Sequence, residues 1–311
     1  MQSQSELRQS ITDRLVNALK SGTDKIPWRR PWRTLGPRLP TNHVTGRAYG
    51  GINILSLWLA AQEKNYPVDL WASFNQWKSI GVSVKKGEQS EKIVFYSPVK
   101  KRKKDENGVE KVESFPILKS WSVFNVAQVE GKSVEQFQPR SSPVVKFDNL
   151  GREEFDRAVA ATGADIRFGG DKAFYKRLPD DFVQVPYEDQ FESFAAYAET
   201  VLHEVGGHWS EHRLGWSGSY AEGELRAEIT ACFLAASLGV PNSGGDLSNH
   251  VKYLESWLKA IEDGDTKFIF RASSAASKAA EYFLSFSRPT EEAAEIETDS
   301  VSEAEAQAVL A

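Results

Sequence analysis

A single cysteine, Cys232, stands in the 311-residue chain, which excludes an intrachain disulfide and a cysteine-built zinc ribbon. It lies in the apolar run Ile229-Thr-Ala-Cys-Phe-Leu-Ala-Ala236, where a small packed residue is expected rather than a nucleophile. No apolar run approaches the roughly 18 residues of a transmembrane helix. The start, Met1-Gln-Ser-Gln-Ser-Glu6, lacks the hydrophobic core of a signal peptide, so the expected setting is cytoplasmic with no membrane partner. With 41% hydrophobic and 26% charged residues the composition is that of a globular protein long enough for two domains.

Charge of one sign is also missing from two stretches. Between Lys25 and Arg47 there are six basic residues and no acidic one; from Pro289 to Ala311 there are seven acidic residues and no basic one. The net charge of −5 conceals this division: residues 1–140 hold 23 Lys and Arg against 13 Asp and Glu, and the remainder holds 15 against 30. A basic half of this kind is suited to a polyanion.

The basic stretch Lys25-Ile-Pro-Trp-Arg-Arg-Pro-Trp-Arg-Thr-Leu-Gly-Pro-Arg-Leu-Pro40 is too rich in proline for a helix or a central strand. It reads as an extended arm. Cations track a phosphate backbone while aromatic faces stack on unpaired bases, so the pattern points to single-stranded DNA bound without sequence readout. Candidate contacts are Trp28, Arg29, Arg30, Trp32, Arg33, Arg38, Arg47, Tyr49, Lys85 and Lys86. The competing explanation is that the aromatics pack inside the domain and the arginines are merely solvated.

Periodicity gives an α+β fold with two domains. Helices are expected at 6–21, 53–62 and 71–80, followed by strands at 91–96 and 114–124 that form a long hairpin with Lys100–Lys104 in its exposed loop. Residues 1–138 would form the basic DNA-binding domain, with a polar linker over 136–143. The second domain, 144–288, starts with a helix at 151–162 and short strands at 164–168, 173–177 and 181–186. Helices at 191–209, 220–238, 246–262 and 272–286 follow, and 289–311 reads as an acidic disordered tail.

The metal-site signature lies in Val201-Leu-His-Glu-Val-Gly-Gly-His-Trp209 and Gly223-Glu-Leu-Arg-Ala-Glu228. Two imidazoles and a carboxylate are a common donor set for zinc. The histidines of a His-Glu-x-x-His helix share a face at i, i+4, whereas His203 and His208 stand at i, i+5, roughly 140° apart on a regular helix. A one-residue π-bulge would bring them together, and Gly206-Gly207 is where the helix is expected to loosen. The third ligand would be Glu224, with Glu228 accepting the remaining N–H of a ligating histidine, although the two glutamates could exchange roles. In a second register Glu204, His208 and His212 share a face, with His208 and His212 as the chelating pair.

Several segments resemble ArdC-type antirestriction proteins, whose N-terminal domain also stands at the front of some plasmid primases. They are Gly46-Arg-Ala-Tyr-Gly-Gly-Ile-Asn-Ile-Leu55, Val84-Lys-Lys-Gly-Glu88, Ile93-Val-Phe-Tyr96, Val123-Phe-Asn-Val-Ala-Gln128, Ala161-Thr-Gly-Ala164, Gly169-Gly-Asp-Lys-Ala-Phe-Tyr175 and the His203 and Glu224 motifs. The resemblance implies an N-terminal single-stranded-DNA-binding domain and a C-terminal zincin metallopeptidase-like domain. It further implies carriage by conjugative elements, protection of incoming DNA from host restriction, and a host restriction or defence protein as possible substrate. That family usually has the four-residue spacing. The longer His-Glu-x-x-x-His form followed by Arg-Ala-Glu looks like that of dipeptidyl-peptidase III enzymes. That likeness implies Zn2+, with Mn2+ as another candidate, on His203, His208 and Glu224, and Glu204 as general base. Tyr175 or His212 is then a candidate for steadying an oxyanion. The contrasting expectation is a DNA-binding protein whose metal site is structural.

Overall fold

The helix Ile52–Glu63 (α2) is apolar on nearly every side, so it must be covered all round. One side is covered by a four-stranded sheet of order β1-β2-β5-β4, made of Thr41–Asn42 (β1), Leu70–Ser73 (β2), Glu91–Lys104 (β4) and Glu110–Asn125 (β5). Asn53 ties helix to sheet: its side chain donates to the Val94 carbonyl and accepts the Val94 N–H, both at 2.8 Å. The helix Gln4–Lys20 (α1) packs on α2 through Leu7, Ile11, Leu15 and Leu19. In this computed structural model the described residues are 3–20, 38–104, 110–132, 134, 151–241, 243, 259, 265 and 267–288, with backbone alone over 98–104 and 110–116.

Two sequence expectations change here. Residues 71–80 are not one helix: Leu70–Ser73 is β2, and Phe74–Ser79 (α3) begins only after Ser73. The reason is pairing, since Trp71, Ala72 and Ser73 lie opposite Asn125, Phe124 and Val123 of β5. Ser73 and Gln76 then form a reciprocal capping box that starts α3. Lys100–Lys104 is not a loop either. Its backbone continues β4, with Lys104 opposite Glu110, so the ladder runs on through the charged residues. Ser83–Val84 (β3) pairs with Val129–Glu130 (β6) in a small second sheet.

The second half opens with Arg152–Ala161 (α4) and a three-stranded sheet of order β7-β9-β8, formed by Asp165–Phe168 (β7), Phe174–Lys176 (β8) and Phe182–Val185 (β9). One continuous helical rod follows: Phe194–Val201 (α5), a π-helical segment Leu202–Trp209, and Ser210–Arg213 (α6). Tyr220–Leu238 (α7) and Phe268–Ser285 (α8) pack against that rod. Among the described residues no helix is long and apolar enough to cross a membrane. The expected linker, the helix at 246–262 and the acidic tail fall largely or wholly outside the described residues.

The two halves share one apolar core. Leu55, Trp58 and Leu59 of α2 belong to the same buried cluster as Phe233 of α7 and Ala276 and Phe283 of α8. Trp58 meets Phe233 edge-on with ring centroids 5.8 Å apart. The Gly51 N–H donates to Ser277 Oγ at 2.8 Å, joining the start of α2 to α8.

Candidate metal centre and nucleic-acid surface

The one-residue widening that the histidine spacing requires is present: Leu202–Trp209 is π-helical. Its wider turn puts His203 and His208 side by side, with ring centroids 4.9 Å apart. Ser210 Oγ donates to the Val205 carbonyl at 2.9 Å, five residues back, so a side chain supplies a partner within the altered ladder.

Gly206 and Gly207 lie inside the widened segment, as expected, but their lack of a side chain serves a further purpose. A Cβ at Gly207 would stand 2.6 Å from the Ala227 Cα, and one at Gly206 would strike the Leu234 side chain. Both glycines therefore let the π-segment approach α7, the helix that carries Glu224 and Glu228. Close approach is what requires them.

That approach places Glu224 between the histidines. One of its oxygens is 3.4 Å from His203 Nε2 and the other 3.5 Å from His208 Nε2. Glu228 lies on the other side of His203, 3.7 Å from Nδ1. Donor atoms of His203, His208 and Glu224 all lie within 4.8 Å of one another. This separation suits a single divalent cation. His212 does not join them: its Nδ1 is 2.7 Å from the Tyr175 hydroxyl.

Electrostatics agree with the geometry. Burial works against charge on His203, but Glu224 and Glu228 outweigh it and its pKa is pushed up to about 10. Burial likewise opposes charge on Glu224, yet the two histidines hold its carboxyl well below the usual range. Burial raises the Glu204 pKa, with His203 and His208 opposing, and the Tyr175 backbone also bonds to its carboxylate. Glu204 Oε2 is buried with no hydrogen-bond partner among the described residues. An orphaned carboxylate oxygen beside two imidazoles and a carboxylate is the donor chemistry that a bound cation and its hydration would satisfy.

Two ties that the sequence did not suggest hold the frame. Arg226 on α7 donates to Glu211 on α6 through Nε at 2.6 Å and Nη2 at 3.3 Å, and both side chains are buried. The Tyr175 hydroxyl donates to Asp181 at 2.7 Å, while Arg213 donates to Asp181 at 2.7 Å and to the Tyr175 oxygen at 3.3 Å. The Tyr175 hydroxyl and the Nδ1 of His212 are thus engaged with each other and with Asp181 rather than turned to the oxyanion role considered for them. The cleft over the donors has a volume of about 1000 Å³, and the β8 residue Tyr175 and the preceding turn from Asp171 form one wall.

The candidate DNA residues are less uniform. Trp28, Arg29, Arg30, Trp32 and Arg33 lie outside the described residues. Arg38 and Arg47 are exposed. Tyr49 packs with Leu57 and Trp71, burial pushes its pKa up to about 12, and Asn42 donates to its hydroxyl at 3.3 Å, so it is a poor stacking face. Lys85, half-buried, spends its ammonium on the Ala127 carbonyl at 2.9 Å, whereas Lys86 is exposed at the same turn. Trp58, Trp71 and Trp77 are core residues, each at most 1% exposed.

Comparison with known proteins fits both halves. Residues 5–124 match the N-terminal domain of anti-restriction factor ArdC, and residues 153–275 match a zincin-like metallopeptidase family. The chain is 31% identical to protein y4eC of Sinorhizobium fredii over 296 residues, covering 90% of this chain and 92% of that one. It is 32% identical to DNA primase TraC of Escherichia coli, covering 89% of this chain but only 27% of the primase. The crystal structure of the antirestriction protein ArdC from the R388 plasmid, metal-free, superimposes with a TM-score of 0.72 at 35% identity, covering 91% of this chain and 98% of that one. The same protein in its Mn(II)-bound form gives 0.70 at 34% identity. With the full length of that protein matched in sequence and fold, the chain belongs to the ArdC antirestriction family.

Proposed function

We propose that this protein protects the DNA of a mobile element from host defence, binding single-stranded DNA through its basic half. Its C-terminal cleft holds a divalent cation, Zn2+ or Mn2+, on His203, His208 and Glu224. Glu228 orients His203 by accepting from Nδ1, which fixes the tautomer that leaves Nε2 for the ion. The carrying observation is the convergence of three donor atoms within 4.8 Å beside the orphaned Glu204 oxygen.

When bound, the cation supplies Lewis-acid polarisation of a substrate carbonyl. The rest falls to the chain's own groups. Glu204, its pKa raised by burial, accepts a proton from the attacking water and returns it to the leaving amine. Among the described residues strand β8 pairs with β9 on one side, and its other edge is offered to an extended peptide held by strand addition. The proposed peptide belongs to a host restriction or defence protein. The alternative of a purely structural ion is less well supported, because closed structural sites use four protein ligands and three converge here.

The test transforms unmethylated plasmid into a restriction-proficient host that expresses the wild type, Glu204→Gln or His203→Ala. Loss of protection in both variants, with metal retained in Glu204→Gln, supports a catalytic site. Protection intact in both would refute a role for the metal centre in antirestriction.

A further inference from the structure

We propose that a groove at the junction of the two halves is a further single-stranded DNA subsite, which carries the strand from the N-terminal half to the mouth of the metal cleft. It rests on the single-stranded DNA binding proposed above. The groove has a volume of about 320 Å³ and is bounded by Tyr96 of β4, Trp216, and Lys267, Arg271, Ser274 and Lys278 of α8 and its cap.

The spacing of the α8 residues is four, three and four, so they form one stripe along a single helix face. All four are exposed. The half of the chain they belong to carries twice as many acidic as basic residues, yet among the described residues no acidic side chain lines the groove. Arg271 is fixed by Asp265, to which it donates at 3.0 and 2.7 Å, and Glu222 also acts on it through space. Lys267 and Lys278 make no ion pair among the described residues.

Tyr96, 52% exposed, stands across from this stripe on a strand of the other half. Asp265 acts on the Lys267 ammonium through space without closing an ion pair. Two aromatic side chains and two ammonium groups outside any ion pair of the described residues, around one concavity, are the components of a single-strand site: bases stack on the rings and phosphates meet the cations. Trp216 lines both this groove and the metal cleft, so a strand lying here reaches the cleft mouth. The Gly51 to Ser277 hydrogen bond holds the two walls in register.

The experiment uses the full chain and fluorescein-labelled oligothymidylate, with anisotropy read across a salt series. The variants are Lys267→Gln/Lys278→Gln, Tyr96→Ala, and Arg157→Gln on the exposed side of α4 as a charge control. Loss of two phosphate contacts should reduce the slope of log K against log salt by about 1.4. Tyr96→Ala should weaken binding roughly 5- to 150-fold, the range for one stacked base. Circular dichroism should show all three variants folded, because every altered side chain is exposed. Iododeoxyuridine in the oligonucleotide should crosslink to Tyr96 or Trp216. A double variant with the slope and affinity of Arg157→Gln, or crosslinks confined to other residues, overturns the subsite while leaving wild-type DNA binding in place. A wild type that binds no oligonucleotide overturns the DNA-binding function itself and the subsite with it.

Discussion

Gly207→Ala tests whether the metal centre depends on how closely two helices approach. The new Cβ would lie 2.6 Å from the Ala227 Cα, a backbone atom that no rotamer change can move aside. Ordinary contact needs the π-segment and α7 to separate by about 1 Å, and overpacking of this kind costs about 1–3 kcal/mol. Alanine returns about 1 kcal/mol of helix propensity, so the net loss is at most about 2 kcal/mol. At about 2–4 °C per kcal/mol the melting temperature should fall by up to roughly 8 °C. The same separation draws Glu224 and Glu228 away from His203 and His208, so metal affinity, measured by competition with a chromophoric chelator, should fall too. Gly206→Ala meets the end of the Leu234 side chain, which has rotamers to use, and should cost less. An unchanged or higher melting temperature with unchanged metal affinity in Gly207→Ala would show that the glycine serves backbone freedom and that the close-approach argument is wrong.

Further predictions concern the ligands, the shared core and the arm. His203→Ala, His208→Ala and Glu224→Ala should each abolish or severely weaken metal binding, Glu228→Ala should weaken it roughly 10–100-fold, and Glu204→Gln should retain it. His212→Ala should leave metal content unchanged; metal lost there and kept in His203→Ala would favour the His208–His212 pair. Trp58→Ala empties a site shared by both halves and should cost about 3–5 kcal/mol. Its thermal unfolding should show both halves melting together, and two separate transitions would contradict a shared core. Trp28→Ala or Trp32→Ala should weaken oligonucleotide binding by about 1–3 kcal/mol per stacked base with the circular dichroism spectrum intact. Loss of folded structure would show that these rings are core.

What was legible in the sequence was local and strongly periodic. The helix at 220–238 could be bounded from its own residues, because Ser219 caps it and Gly239 ends it in the left-handed region. The five-residue histidine spacing likewise announced a π-turn, since no other helical geometry brings the two rings together. Partners distant in sequence decided the rest. Trp71 and Ala72 favoured a helix by pattern, but β5 claims them as strand. Tyr49 reads as a stacking face but is largely buried, and Trp58, Trp71 and Trp77 fill the core; composition cannot tell a stacking face from a packing one. Spacing alone makes His212 a possible partner of His208, but its Nδ1 faces the Tyr175 hydroxyl, a residue 37 positions away in sequence. The α8 helix begins at Phe268, four residues before its expected start, and that difference hid the i, i+4 relation of Lys267 and Arg271.

The shared core also bears on how the chain is made. The outward side of α2 is finished by Phe233 and by α8, which ends at Ser285, more than two hundred residues after α2 itself. At about 5–20 residues per second, translation leaves that side uncovered for roughly 10–45 s. During synthesis, Leu55, Trp58 and Leu59 therefore form an apolar surface with no native cover. Such exposed apolar surface is what chaperones bind, and the N-terminal half gains its native cover only when α8 arrives.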